Sequence, residues 1–376
     1  MAQDGGGEQV RIGIIGLGEV AQIIHLPILR SLPDRFRVTA ICDVSPSLLN
    51  FIGHRYDIPA PARHADFHEL VARDDVDAVL VLNSDEYHAD CAIAAMRAGK
   101  HVLIEKPMCL TLREADAIIA ERDKAGVQAM VGYMRRFAPS FLEAVEEVRR
   151  FEKISYARVR AIVGPNSIFI NQSSLVERPD DIPAAAMEDR RERSARMNAE
   201  ALGAATPELI ATYRMLCGLN SHDLSAMREL LGFPRRVLAA THWNGGRYAH
   251  AILDYGDYQV AFETGTNRQA RFDAQIEVFS PTKSVRIQYD TPYIRHLPTT
   301  LYVTETNGDR FTESVSRATY VDPYTHELLH FHDVVTGKAA PKTTPEDSRD
   351  DLRLFGMIIN AIRNTQYASD EAPLQL

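Results

Sequence analysis

The chain has 376 residues, 45% of them hydrophobic and 25% charged, with 42 basic against 51 acidic side chains and a formal net charge of −9. That length outgrows one hydrophobic core and implies about two domains, while the acidic balance excludes the basic face that nucleic acid or an anionic membrane would require. Cys42, Cys91, Cys109 and Cys217 form no C-x-x-C pair and read as reduced core residues of a cytoplasmic protein. Residues 1–10 read as a loose glycine-rich leader rather than a signal peptide, and no apolar run approaches the roughly 18 residues of a membrane span.

In chain order, residues 11–16 read as a buried parallel strand. It runs into Gly16-Leu17-Gly18-Glu19-Val20-Ala21, a G-x-G-x-x-A pattern. In a dinucleotide turn the first glycine permits the bend, the second lets a pyrophosphate approach the backbone, and the alanine lets the helix pack closely. The helix N-terminus then supplies N–H groups and positive dipole to the phosphates. Residues 37–43 read as a second strand ending in Asp43, spaced as a carboxylate for an adenosine ribose 2′-hydroxyl should be. The competing reading is a flavodoxin-like turn with an incidental surface Asp. Asp43 would repel a 2′-phosphate, and no arginine follows it directly in DVSPS, which favours NAD over NADP. Further strands are predicted at 77–82, 101–104 and 127–131, with helices near 19–31, 45–54, 66–72, 87–98 and 111–125. Thr111 with Glu114 predicts a capping box, and Gly99 and Gly126 read as helix stops. This alternation predicts a doubly wound parallel sheet over 11–133.

From about residue 150 the pattern changes. Residues 154–163 alternate like a half-exposed strand. Residues 179–216 are helical and charge-rich, and read as an inserted helix pair able to form a lid. Strands are predicted at 236–243, 248–255, 258–264, 272–280, 284–290 and 299–305 without intervening helices, which predicts a mostly antiparallel sheet. Helices at 324–336 and 346–364 close the chain. The expected fold is α/β, a Rossmann-type domain over 11–133 followed by an α+β domain over 134–376.

The strand at 101–104 runs straight into Glu105-Lys106-Pro107. Pro107 restricts Lys106 to extended conformations, and the carboxyl end of a parallel strand is where doubly wound folds bind ligands. A partly buried lysine there can donate or accept a proton; the alternative is a surface ion pair. His64 and His68 with Glu69 could share a helical face, but no third ligand stands near, so no metal is expected. Asn171-Gln172-Ser173 is a glycosylation sequon with nothing to suggest secretion. Trp243 reads as packing.

GLGEVAQ, the helix from His88 to Gly99 leading into AGKHVLIEKP, and GYMRRFAP at 132–139 together resemble the glucose-fructose oxidoreductase / inositol dehydrogenase / MocA-like family. The resemblance covers essentially the whole chain and is strongest over 11–140. It implies an NAD(P)-binding Rossmann domain followed by a domain with a large open sheet that packs subunits into homodimers or homotetramers. It implies an oxidoreductase acting on a secondary alcohol or ketone of a sugar, cyclitol or sugar derivative. Lys106 would contact substrate and relay the proton. His222 falls on the family's acid/base histidine, but Gly218 stands where the family has an aspartate four residues earlier. Asp223 is its helical neighbour, about 100° away, and does not simply replace that carboxylate. His88 matches the family's cofactor loop, in which Asn83, Ser84 and Asp85 replace Thr, Pro and Asn.

The cofactor residues implied are Gly16, Gly18, Glu19, Val20, Asp43, Asn83, His88, Glu105, Lys106 and Arg136, with Arg135 as the alternative to Arg136. Substrate candidates are Tyr133, Asn166, Asn220, Asp223 and His326. His25 reads as a packing residue. Two rival functions remain open: a lyase or glycosidase that holds NAD and cycles it internally, and a dinucleotide-sensing protein without turnover.

Overall fold

The structure, a computed structural model, describes residues 8–369, so the leader expected at 1–10 falls outside it at 1–7. The chain divides into two compact units. The first holds the chain up to Tyr133 together with Ser173–Ala201 and Tyr324–Arg349; the second holds Met134–Gln172, Leu202–Pro323 and Asp350 onward. The sequence reading expected one domain over 134–376, with a helical insertion at about 179–216. Polar contacts hold the returning segments to the first unit: the Thr343 hydroxyl donates to the Val131 carbonyl (2.7 Å), and Val131 N donates back to the Thr343 carbonyl (2.8 Å).

The first unit is built on six parallel strands, β1 (Val10–Ile15), β2 (Phe36–Cys42), β3 (Arg63–His64), β4 (Ala78–Val81), β5 (His101–Glu105) and β6 (Ala129–Gly132), in the order β3-β2-β1-β4-β5-β6. Their continuous apolar runs follow from burial on both faces; every residue of β4 has no exposed surface. β3 is too short to show periodicity and was not predicted. The helix Leu112–Ala125 opens on the expected capping box, Thr111 with Glu114, and stops at left-handed Gly126. The helix after the glycine turn begins with a π turn, Ala21–His25, before Leu26–Ser31.

The second unit carries eight strands, β7 (Tyr156–Val163), β8 (Arg236–Trp243), β9 (Tyr248–Asp254), β10 (Gln259–Thr266), β11 (Phe272–Phe279), β12 (Lys283–Tyr289), β13 (Thr300–Asn307) and β14 (Arg310–Ser316), ordered β14-β13-β12-β11-β7-β10-β9-β8. All neighbours are antiparallel except β7 and β10, whose parallel pairing carries the chain between the two halves of the sheet. β7 buries Ala157, Val159, Ala161 and Val163 by strict alternation. β14 is exposed almost throughout, so it lacks the apolar alternation that reveals a strand, and the sequence did not show it. The charged stretch at 179–216 resolves into Ala184–Leu202 and Pro207–Met215, preceded by a further helix, Asn166–Ser173. All four cysteines are buried and unpaired as disulfides. Among the described residues no helix is long and apolar enough to cross a membrane.

Within the second unit Arg228 donates to Asp351 through Nε (3.0 Å) and Nη2 (2.7 Å), with both side chains at most 5% exposed. Asp351→Ala would leave a buried guanidinium without its carboxylate. We expect a loss of about 3–5 kcal/mol, read by denaturant unfolding; a loss within experimental error of zero would show that the pair is dispensable.

Candidate active site

The carboxyl edge of the six-stranded sheet is shaped by the turn after β1. Gly16 has φ +93°, and a Cβ on it would stand 2.4 Å from the Asn83 backbone nitrogen. Only glycine lets the turn pass this close to the chain leaving β4. A Cβ on Gly18 would meet nothing within 4 Å, so the second glycine faces open space. Asp43, at the end of β2, accepts from Leu17 N (2.8 Å) and Ser45 N (2.9 Å). Burial pushes its carboxyl above the ordinary range, against the pull of these backbone donors. Asp43 thus ties the glycine turn to the start of the next helix.

Asn83 donates through Nδ2 to Cys91 Sγ (3.3 Å), while its buried Oδ1 has no hydrogen-bond partner. His88 is 2% exposed and lies between two carbonyl oxygens, Pro107 O (2.8 Å from Nδ1) and Asn83 O (3.0 Å from Nε2). It braces the loop after β4 against the loop after β5. Glu105, the last residue of β5, is bonded to His25 Nε2 (2.9 Å) and accepts from the Lys106 N–H (3.0 Å). Burial opposes its ionisation. The His25 hydrogen bond, with the charges of His25 and Lys106, outweighs burial and holds the carboxyl below its ordinary range. His25 is fully buried and sits edge-on to Tyr324 at 5.7 Å, so it positions the Glu105–Lys106 turn besides packing there. Lys106 is half-buried, and its peptide bond to Pro107 is cis.

The segment Ser173–Ala201 runs along this same edge. The Gln22 side-chain amide donates to the Glu177 carbonyl (3.0 Å) and accepts from the Glu177 N–H (2.9 Å). Farther along, the Tyr87 hydroxyl donates to Asp189 (2.6 Å), and Arg193 pairs with Asp90 (2.5 Å) while covering the Tyr87 ring at 4.5 Å. These contacts join residues more than a hundred positions apart and carry no periodic signal, so sequence reasoning missed them.

In the second unit His222 lies in the first turn of the helix Ser221–Leu231, 7% exposed, directly after a π turn at Leu216–Asn220. Asp223 is fully buried and paired with Arg135, whose guanidinium also lies over the rings of Tyr289 (4.8 Å) and Phe272 (5.5 Å). Burial raises the Asp223 carboxyl, against the opposing pull of Arg135 and Asn220. Asn220 is fully buried and exchanges hydrogen bonds with Thr264 (2.8 and 3.1 Å). Asp223 and Asn220 are thus both fully buried within the second unit. Tyr133 is 1% exposed, with its hydroxyl 2.7 Å from Ser348 Oγ in the first unit. Arg136 donates through Nε to Glu229 (2.6 Å). Asn166 is exposed at the start of its helix, and His326 is half-buried on the helix Pro323–Val335. A Cβ on Gly218 would meet nothing within 4 Å.

The first unit fits a dinucleotide on three counts. Gly18 leaves room for a pyrophosphate, the helix behind it presents its N-terminus, and Asp43 closes β2. His64 pairs with Glu69 (3.0 Å), and the His68 ring lies 4.2 Å from the Phe67 ring at a tilt of 34°.

Residues 10–133 match the model of an oxidoreductase family with an NAD-binding Rossmann fold. Myo-inositol 2-dehydrogenase of Thermotoga maritima is 37% identical over 139 residues, which are 37% of this chain and 40% of that one. A 1-carboxy-3-chloro-3,4-dihydroxycyclohexa-1,5-diene dehydrogenase of Comamonas testosteroni is 35% identical over 158 residues, 42% of this chain and 38% of that one. The matched stretch thus spans about two fifths of the length of these curated relatives. The fold extends further. The aldose-aldose oxidoreductase of Caulobacter crescentus, crystallised with glycerol, superposes with a TM-score of 0.73 over 95% of this chain and 98% of that one, at 21% identity.

The two glycines should separate. Gly16→Ala drives a Cβ into the Asn83 backbone at positive φ and is expected to cost about 1–3 kcal/mol of stability. Gly18→Ala should leave the unfolding midpoint in place and weaken NAD binding; an equal stability loss in both would contradict the open space at Gly18. The depressed Glu105 carboxyl contributes stability that is present above its unfolded value near 4.5 and is lost as the pH falls through the folded value. Glu105→Gln should flatten that acid limb of the unfolding midpoint against pH, and an unchanged limb would exclude Glu105 as its source.

Proposed function

We propose that the protein, whose residues 10–133 match an oxidoreductase family with an NAD-binding Rossmann fold, is a member of the glucose-fructose oxidoreductase / inositol dehydrogenase / MocA-like family and an NAD-dependent dehydrogenase or reductase of a secondary alcohol or ketone on a sugar, cyclitol or sugar derivative. The observation that carries this reading is the glycine turn itself, with Gly18 open and Asp43 closing the neighbouring strand. The names of the relatives, a myo-inositol 2-dehydrogenase and a dihydroxycyclohexadiene dehydrogenase, support a ring-hydroxyl substrate. Asp43 supports NAD over NADP, since a carboxylate repels a 2′-phosphate.

When bound, the nicotinamide supplies the hydride acceptor or donor. In the roles that the family resemblance gives them, Lys106 hydrogen-bonds the reacting oxygen through its ammonium and stabilises negative charge there. His222 takes the hydroxyl proton during oxidation and returns it during reduction. Asp223, paired with Arg135, is not the carboxylate that Gly218 omits, so His222 works in this reading without an aspartate four residues before it. We further propose that the protein is cytoplasmic and self-associates through the eight-stranded sheet.

A second reading is favoured by one observation. Gln22 fastens the segment Ser173–Ala201 along the cofactor edge, which suits a dinucleotide that stays bound and is reduced and reoxidised within one turnover.

Lys106→Ala should lower turnover by about 10²–10⁴-fold and weaken NAD binding far less than it lowers turnover. Survival of full activity would overturn the role of Lys106. NADH absorbance against a panel of sugars, cyclitols and glycosides separates the readings: accumulation of NADH supports the dehydrogenase, and product formation without NADH supports internal cycling.

A further inference from the structure

The helix Pro46–Arg55 begins beside Asp43, where the adenosine ribose of a bound dinucleotide ends. Its first turn is rich in donors, and those donors have an occupant. The Ser45 hydroxyl donates to Asp181 Oδ1 (2.5 Å), Ser47 N donates to Asp181 Oδ2 (2.8 Å), and the Ser47 hydroxyl donates to Asp181 Oδ1 (2.9 Å). Ser45 also caps its own helix, accepting from Leu48 N at 3.1 Å. A carboxylate from 134 residues away in sequence therefore holds the place that an anion takes at a helix N-terminus.

The segment bringing Asp181 is fixed just before it. Gln22 grips the Glu177 backbone from both sides, and Arg178 pairs with Glu19 of the glycine turn at 2.8 Å. Asp43 lies on the other flank, accepting from Ser45 N. The Ser45–Ser47 turn is thus bracketed by two carboxylates, and each carboxylate uses part of its donor set. The ester phosphate of NADP carries about two negative charges and needs such donors. The 2′-hydroxyl of NAD is neutral and needs neither.

We propose that Asp181 is a specificity-determining residue for the dinucleotide: its carboxylate stands in the 2′-phosphate position and excludes NADP by repulsion and by occupying the donors of Ser45 and Ser47. The proposal rests on the reading of the first unit as a dinucleotide site. It extends that reading from Asp43, whose motif lies in the sequence, to a residue contributed by a distant segment. Specificity of this kind is built against the wrong ligand more than for the right one.

The test is equilibrium binding of NAD⁺ and NADP⁺ to the full chain, by calorimetry or fluorescence titration, for the wild type, Asp181→Ala and Asp181→Asn. The asparagine variant keeps an acceptor for Ser47 N and loses the charge, and the unfolding midpoint of each variant confirms its fold. Asp181 is exposed and its repulsion is screened, so both variants should gain about tenfold in NADP⁺ affinity, with NAD⁺ affinity changing much less. An unchanged NAD⁺/NADP⁺ ratio overturns the proposal while leaving the dinucleotide site intact. Equal weakening of both dinucleotides also overturns it, since Asp181 would then only fasten the segment. A wild type that binds neither dinucleotide overturns the underlying functional reading, and the proposal with it.

Discussion

At Gly16 the main chain passes so close to Asn83 that no side-chain carbon fits between them. This steric constraint sets the exit of β1 against the exit of β4, and the rest of the candidate site is arranged around it. Because Gly16 turns at positive φ, Leu17 N points at Asp43, and the following helix starts with its N-terminus along the sheet edge. Because the chain leaves β4 at Asn83, His88 can join that loop to Pro107 and so to the end of β5. One close backbone approach thus fixes three strand ends relative to each other, in a place where a flexible loop would not hold a ligand.

Four carboxylates in the two units, three buried and one half-buried, share a feature: each has a fixed partner. Glu105 has His25, Asp223 has Arg135, Asp351 has Arg228, and Asp43 has backbone N–H groups. A buried unpaired charge would cost more than the fold can supply. These pairs therefore position backbone and neighbouring side chains, and their distance from water suits them to that task better than to proton transfer. The consequence for chemistry is concrete at Asp223. It stands next to His222 in sequence, yet its charge is turned into the core toward Arg135.

The segment Ser173–Ala201 changes how the cofactor edge should be understood. A glycine turn and a terminal acid describe the edge as the sheet alone would build it. Here a later part of the chain adds polar contacts at Glu19, Gln22, Ser45, Ser47, Tyr87 and Asp90. Its charge-rich sequence reads as a solvated surface, which much of it is, but one side of it is complementary to the edge.

The sequence by itself determined the elements and much of their grouping. The G-x-G-x-x-A turn, the Thr111–Glu114 capping box and the strand ending in Glu105-Lys106-Pro107 are local patterns, and local sterics and hydrogen bonding suffice to specify them. Seven of the second sheet's strands, β7 to β13, were legible because one face is buried and the side chains alternate. β3 and β14 were not, since two residues show no period and an exposed edge strand has no apolar face. The tertiary structure alone decided which segments join which unit, that Asp223 pairs with Arg135, Asn220 with Thr264 and Tyr133 with Ser348, and that Asp181 meets Ser45 and Ser47. The physical reason is the same in each case. Burial and ion pairing depend on what the fold brings alongside a side chain from distant parts of the chain, and nothing in the spacing of neighbouring residues records that.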